Sequence, residues 1–467
     1  MSDIPGFERR TKIVCTIGPA TSARVPLRAL LERGMNVARL NFSHGSPAEH
    51  ETVLAEIRAL SEELGIATAV LQDLAGPKVR IGTLADGSVE LEPGRPFTLT
   101  TRQIEGSRDR VSVSYARLPA AVGVGDTLLL ADGVILLRVE RVTDEDIHCQ
   151  VVVGGRLGSR KGVNVPSGLP GLPILGDKDL RDLRVGLGQG IDYLGLSFVR
   201  SAADVRAARD HIERLGGRVP VIAKIETQAA LDHFDEILDA ADGIMIARGD
   251  LSIETPFARV PIVQKNLIAE ANRRAKPVIT ATQMLFSMVS SPQPTRAEVA
   301  DVANAVLDGS DAVMLSEETA VGRHPVQAVE VMATIALETE RGVLQGPRPS
   351  GVSAEPPQSD EEAVIQAACQ LATYRSVDVI VTVTRTGETA RLAAKQRPAQ
   401  PIVALTGDPE TCQRLALVRG VLPLLLPSSS QDSEEMIEVA RRAARERGWP
   451  DMRAVFVSRD RLWTGRL

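Results

Sequence analysis

Several short apolar runs in this chain end in polar residues whose types and spacing suit phosphate chemistry. Arg39, Asn41 and Ser43 are spaced i, i+2, i+4, so in an extended strand all three point the same way. Lys224 and Glu226 share a side in the same manner, and Asp73 closes the run IATAVLQD. Arg248, Gly249 and Asp250 follow GIMIA, Thr280 and Thr282 end another run, and Ser316 and Glu318 end the last. The carboxylates Glu226 and Asp250, beside a lysine and an arginine, suit Mg²⁺ carrying a phosphorylated anion. Such an ion takes one or two carboxylates and leaves its other positions to water and substrate oxygens. Phosphoryl transfer asks the protein mainly for positioning and charge stabilisation, which these groups supply. Any one of them could be a cap or a solvated strand end. Their recurrence at strand after strand argues for a shared mouth.

The elements that must hold them repeat along the chain as an apolar run, a polar or glycine-containing turn, and an amphipathic helix. The runs are KIVCTI, MNVARLNF, IATAVLQD, IDYLGLSF, VPVIAKIE, DGIMIARGD, KPVITATQ and SDAVMLSEE. Strands alternating with helices imply a parallel sheet covered by helices, and eight such units predict a (β/α)8 TIM barrel, an α/β fold whose chemistry lies at the C-terminal strand ends. Ser201 with Asp204, and Thr295 with Glu298, stand at capping-box spacing. Gly309 sits where a helix-ending glycine belongs. Between strands three and four the helical period disappears, and short β-like runs from Lys78 to Val163 predict an inserted small β-barrel lid. The predicted organisation is a barrel over 11–77 and 164–342, the lid over 78–163, a Pro/Gly/Ser-rich linker over 343–359, and a C-terminal α/β domain over 360–467.

Composition bounds the rest. A length of 467 residues calls for two or three domains, and 43% hydrophobic with 24% charged residues is ordinary globular balance. A net charge of -6 gives no basic footprint for nucleic acid. Four scattered cysteines form no C-x-x-C pair and read as free thiols of a reducing cytosol. The N-terminal MSDIPGFERRTKIV lacks an apolar signal region, and no apolar run is long enough to span a bilayer, so a cytoplasmic protein without membrane partners is expected.

KIVCTIGPA, NVARLNFSHG, GPKVR, KGVN, AKIET, GIMIARGDL, KPVITATQML, PTRAEVADVANAVLDGSDAVMLS and ETA, in this order, resemble the pyruvate kinase family from about Thr11 to Glu340, and the C-terminal domain does so more loosely. The resemblance implies transfer of the phosphoryl group of phosphoenolpyruvate to ADP, giving pyruvate and ATP in glycolysis. It implies Glu226 and Asp250 as ligands of Mg²⁺ (or Mn²⁺), Lys224 as the cation facing the phosphoryl group in flight, and Arg39 as the phosphate clamp. The Gly249 and Asp250 backbone would take the substrate carboxylate, Thr282 would bond it, and Ser316 and Glu318 would complete a proton relay. Asn41, His44 and Arg80 would face the nucleotide.

Potassium-dependent members of the family hold the ion with groups corresponding to Asn41, Ser43, Asp73 and the residue after it. Here Leu74 and Ala75 replace their Thr-Lys pair, and Lys78 replaces a glutamate. K⁺ is therefore expected to be unnecessary, with the Lys78 ammonium in its place. The turn Thr384, Thr386, Gly387, Thr389 lies where the family has a phosphate-binding effector loop, although an ordinary cap explains it equally. The chain stops at RLWTGRL without the family's glycine-rich closing hairpin, which argues against a fructose-bisphosphate effector. Glu317 stands where a small residue is usual and is expected to point away from the site. Phe286 replaces an acidic residue at an expected contact of a homotetramer. A lyase or mutase barrel acting on phosphoenolpyruvate would lack the lid and the C-terminal domain, and a catalytically silent relative need not keep Arg39, Lys224, Glu226, Asp250 and Thr282 together.

Overall fold

The structure is a computed structural model that describes residues 7–166, 168–169, 171–345, 356–375, 377–426, 433–459 and 461–467. Eight parallel strands close into a barrel: Lys12–Ile17, Val37–Asn41, Ala69–Asp73, Tyr193–Leu196, Val221–Ile225, Gly243–Ala247, Val278–Ala281 and Ala312–Leu315. Alternation divides each strand between two cores. Val14, Leu71, Ile222, Met245, Ile279 and Met314 fill the interior, while Ala38, Leu40, Ala223, Ile225 and Val313 pack outward against the helices. The interior is apolar near the floor, where Ala416 and Leu417 of the C-terminal domain join the packing. Inward positions nearer the mouth are Thr16, Arg39, Asp73, Ser197 and Lys224.

The inserted segment forms a seven-stranded sheet whose edge elements meet through the Ile81–Val113 bridge, closing a small barrel around Phe97, Leu99, Leu128 and Leu137. Its first and last strands, Val79–Arg80 and Gly162–Asn164, pair with each other at the entry to the main barrel. The C-terminal domain has a five-stranded sheet, parallel except at one edge. That edge is Arg461–Arg466, which pairs antiparallel with Arg453–Ser458. RLWTGRL, expected to lack the family's glycine-rich closing hairpin, is largely a strand paired antiparallel with its predecessor and carries the single glycine Gly465. Trp463 stacks on Phe456 at 5.7 Å and anchors it. Helix Pro325–Gln345 runs three residues into the expected linker, and most of the remainder, 346–355, lies outside the described residues.

The capping predictions divide. Thr295 and Glu298 make the reciprocal box at helix Arg296–Leu307, and Gly309 follows that helix with φ 99°. Ser201 precedes helix Ala202–Arg214 but its hydroxyl caps nothing; Asp204 instead accepts from Arg200 N at 2.9 Å.

Candidate active site at the barrel mouth

The centre of the mouth is built on Asp73. Strand three carries Ala69, Leu71 and Asp73 inward, so the carboxylate arrives at the end of an apolar column with 1% of its surface exposed. Arg39 Nε donates to Asp73 Oδ2 at 2.7 Å, and Lys224 Nζ stands 3.2 Å from Oδ1. Burial alone would raise the Asp73 pKa, but the Lys224 and Arg39 charges outweigh it and hold the carboxyl below its usual range. Arg39 is further oriented by donating Nη1 to Thr16 Oγ1 at 2.9 Å.

Lys224 is 8% exposed and reaches three oxygens: Asp73 Oδ1, Glu226 Oε1 at 2.9 Å, and Ser197 Oγ at 2.7 Å. Burial disfavours its charge, yet the two carboxylates more than compensate and lift its pKa to about 12. The ammonium is therefore permanently charged at neutral pH. Glu226 is 1% exposed; its Oε2 accepts from Phe198 N at 2.7 Å. Phe198 holds φ 56°, a left-handed conformation unusual for an aromatic residue, to aim that N–H. Burial first, then the neighbouring Asp250 carboxylate, pushes the Glu226 pKa up despite Lys224.

Glu226 Oε1 lies close to Lys224 Nζ but receives no directed hydrogen bond among the described residues, although it is fully buried. A buried carboxylate oxygen whose one neighbouring charge is the Lys224 ammonium, with a second carboxylate near enough to raise its pKa, fits a divalent cation. Two carboxylates also fall within the one or two that Mg²⁺ ordinarily takes from a protein. The donors present therefore suit the metal that the sequence implied.

Asp250 sits in the short helix Arg248–Glu254, which opens directly from strand six. Arg248 fixes that junction. It grips Asp301 with two bonds of 2.7 Å and donates to Thr282 O at 2.9 Å and Ala281 O at 3.3 Å. A Cβ built on Gly249 would stand 2.7 Å from Thr282 Cγ2, so only glycine allows this approach. Thr282 lies beyond the strand end at φ 77°, followed by Gln283 at φ 57°. That left-handed turn delivers Thr282 to the mouth. Thr280 is not delivered: strand seven turns Ile279 and Ala281 inward, and the fully buried Thr280 hydroxyl bonds Ser310 Oγ at 2.7 Å.

The eighth strand also ends earlier than alternation implied. Glu317 is exposed as expected, but because residues 317–320 are helical rather than extended. Glu318 is 1% exposed and accepts from Ser316 N at 2.6 Å and Leu285 N at 3.1 Å. Its carboxylate thus ties two loops together. Ser43 lies past the end of strand two, is exposed, and donates its N–H to Asn41 Oδ1 at 3.1 Å. His44 is exposed, and its carbonyl bonds the His50 ring at 2.8 Å. Arg80 belongs to the lid and donates to Arg160 O at 3.2 Å.

Lys78, expected in the place of a monovalent cation, directs its ammonium to Asp132 Oδ1 of the lid at 3.7 Å and over the Phe198 ring at 6.0 Å. Among the described residues no ion pair joins it to Asp73. In the candidate effector turn, Thr384 Oγ1 accepts from Gly387 N at 2.9 Å and Thr389 donates to Glu361 at 2.8 Å. Gly387 has φ 80°, and Thr386 is exposed. The turn chemistry occupies two of the three hydroxyls. Phe286 is 46% exposed, an apolar ring left on the barrel surface.

Thr16 and Ser197, which orient Arg39 and Lys224, were missed by sequence reasoning. Thr16 stands at an inward position of strand one and Ser197 one residue past the end of strand four on its inward parity, so both were recoverable from alternation alone. The Arg248–Asp301 clasp joins residues 53 apart and left no local signal.

Comparisons with known proteins agree with this geometry. Residues 8–329 match the family model described as pyruvate kinase, barrel domain, and residues 362–460 match that of the pyruvate kinase alpha/beta domain. Pyruvate kinase 2 of Synechocystis is 48% identical over 93% of this chain and 74% of its own length. The pyruvate kinase of Thermotoga maritima is 44% identical over 94% of this chain and 93% of its own. The crystal structure of a pyruvate kinase from Cryptosporidium parvum superposes with a TM-score of 0.91 at 38% identity, covering 98% of this chain and 96% of that one. The chain therefore belongs to the pyruvate kinase family of phosphotransferases, which move the phosphoryl group of phosphoenolpyruvate onto ADP to give pyruvate and ATP.

Proposed function

We propose that the transfer occurs among Arg39, Lys224, Glu226, Asp250 and Thr282 at the barrel mouth. Pyruvate kinases generally use a divalent metal. Glu226 and Asp250 would hold it here, Mg²⁺ by preference with Mn²⁺ as substitute, where it would neutralise charge on the substrate oxygens. Arg39 clamps the phosphate of phosphoenolpyruvate through its forked guanidinium. Lys224 faces the phosphoryl group as its bond to the enol oxygen breaks and its bond to the terminal oxygen of ADP forms. The electron pair left on the enolate is then taken up by a proton delivered to carbon, yielding pyruvate. The N–H groups of Gly249 and Asp250, with the Thr282 hydroxyl, hold the substrate carboxylate and keep the protonated face near Thr282. Ser316 continues the proton path, with Glu318 positioning it through the Ser316 N–H. Asn41, His44 and Arg80 receive the nucleotide, and the lid excludes water that would compete for the phosphoryl group.

The observation that carries this reading is the buried Lys224 held between Asp73 and Glu226, with Arg39 on the other Asp73 oxygen. A coupled assay with purified protein, phosphoenolpyruvate, ADP and Mg²⁺ tests it. No pyruvate-forming turnover would refute it.

Finer features belong to the same proposal. Lys78 supplies the monovalent charge near Asn41, Ser43 and Asp73, its ammonium leaving Asp132 as the lid moves. Thr384, Thr386, Gly387 and Thr389 belong to a regulatory turn for a monophosphorylated effector. The chain works in the cytoplasm as a homotetramer, with Phe286 at a subunit contact.

A further inference from the structure

The loop over residues 42–46 joins strand Val37–Asn41 to helix Pro47–Leu64 and carries His44. Ser43 and His44 are exposed, and the loop turns at Gly45, where φ is 73°. Within the loop, His44 N donates to Asn41 O at 3.1 Å. At its start the Phe42 side chain is buried at 3% exposure, and Phe42 O accepts from Lys178 Nζ at 2.6 Å.

His50, half-buried, is the fourth residue of the helix that follows. Its ring stacks on Phe42, with centroids 4.0 Å apart and planes inclined by 19°. The edge of the same ring brings Nε2 to 2.8 Å from His44 O. A carbonyl only accepts, so the shared hydrogen belongs to Nε2. Burial holds the His50 pKa below the ordinary histidine value, with Lys178 adding to the lowering. The His44 carbonyl, Asp182 and Glu49 pull the other way. The ring is therefore neutral at pH 7, in the tautomer that donates to the loop. A Cβ built on Gly45 would come within 3.3 Å of Nε2, so the chain wraps closely round the ring edge.

The helix does not need this bond to begin. Ser46 and Glu49 already form the reciprocal capping box, Ser46 N donating to Glu49 Oε2 at 2.7 Å and Glu49 N to Ser46 Oγ at 3.3 Å. Nor does the bond bury its partner, because His44 stays exposed. It fixes the backbone of His44, and with it the direction in which that side chain leaves the loop.

We propose that His50 is a positioning residue for the nucleotide, holding residues 42–46 in the shape that receives ADP through the Phe42 stack and the His44 carbonyl. It acts through the loop and not on the substrate. The inference rests on the reading above that Asn41 and His44 face the nucleotide. Without the donor the loop must be ordered when ADP binds, and that ordering weakens nucleotide affinity. The groups assigned to phosphoenolpyruvate, Arg39, Gly249, Asp250 and Thr282, lie outside the loop and should be unaffected.

Steady-state kinetics of variants of the whole protein test this. His50→Phe keeps a flat ring over Phe42 but removes the donor. It should raise KM for ADP about three- to tenfold, the usual worth of one neutral hydrogen bond, with kcat and KM for phosphoenolpyruvate little changed. His50→Gln loses the stack but keeps an amide N–H of similar reach, and should return KM for ADP toward the parent value. A parent-like KM for ADP in His50→Phe overturns the proposal. So does a KM for phosphoenolpyruvate that rises in step, or a His50→Gln no better than His50→Phe, since either result makes the ring a packing element. His44→Ala separates the inference from the reading beneath it. If His44→Ala raises KM for ADP and His50→Phe does not, the positioning role alone falls; if neither does, the nucleotide reading falls with it. Should His50→Phe not fold, His50→Leu compared with His50→Gln decides the matter by the same criteria.

Discussion

Replacing Lys224 by methionine separates the two halves of the reaction. The change keeps the side-chain length but removes the ammonium that now contacts Asp73 at 3.2 Å, Glu226 at 2.9 Å and Ser197 at 2.7 Å. Asp73 retains Arg39, so the carboxylate left without a cationic partner is Glu226, at 1% exposure, with only the Phe198 N–H on its Oε2. Its pKa, already raised by burial and Asp250, should rise further. Leaving one buried charge uncompensated costs about 3 kcal/mol of stability before protonation relieves it. In catalysis, losing one preorganised cation aimed at developing charge costs about 3 kcal/mol, or roughly a hundredfold or more in turnover. Phosphoryl transfer should therefore fall by at least that factor. Slow exchange of the pyruvate methyl protons with solvent should persist, because Thr282 and the proposed metal ligands Glu226 and Asp250 are retained. The assay pairs lactate dehydrogenase-coupled turnover with proton exchange followed by NMR, after circular dichroism has confirmed the fold. Retention of more than a few per cent of the normal transfer rate would refute the role of Lys224. Equal loss of exchange and transfer would show that the variant disrupts the whole mouth.

Three further outcomes are expected. Gly249→Ala places a methyl 2.7 Å from Thr282 Cγ2 and should cost about 1–3 kcal/mol in kcat/KM for phosphoenolpyruvate, measured by steady-state kinetics with little change in melting temperature. Lys12 is buried with its ammonium on Val421 O at 2.7 Å, and burial, then Arg9 and Arg10, push its pKa down to about 7 from 10.5. Between those values the unfolded chain binds a proton that the folded chain does not, so this group's contribution makes stability rise with pH from about 7 upward; denaturant titrations at several pH values should show that slope in the parent and a flatter one in Lys12→Met. Turnover in tetramethylammonium buffer should change little when KCl is added at matched ionic strength, whereas Lys78→Glu should lose activity and recover part of it with potassium; strong stimulation of the parent by potassium would exclude Lys78 as the replacement.

Much of the mouth was legible because strand alternation is a strict rule of two. Arg39, Asp73 and Lys224 occupy inward positions that their apolar neighbours Val37, Leu71 and Ile222 also mark. The same rule failed where strands stop. Thr280 and Thr282 share a parity, yet strand seven turns Thr280 outward, and only a left-handed turn at Thr282 and Gln283 brings Thr282 round. Glu318 was read as a strand residue and proves to be helical, spending its carboxylate on two backbone N–H groups. The Arg248–Asp301 clasp and the Lys78–Asp132 pair join residues distant in sequence, and nothing local announces either. The final strand, Arg461–Arg466, was not read from the sequence because RLWTGRL lacks the glycine-rich pattern sought there.

Mn²⁺ binding tests, without relying on turnover, whether Glu226 and Asp250 together hold the divalent metal. Titration of Mn²⁺, followed by electron paramagnetic resonance in the parent, Glu226→Gln and Asp250→Asn, reports the site directly. The parent should show one tight site, weakened by at least about tenfold in either variant, with turnover falling in step. Parent-like Mn²⁺ affinity together with parent-like turnover in either variant would contradict it.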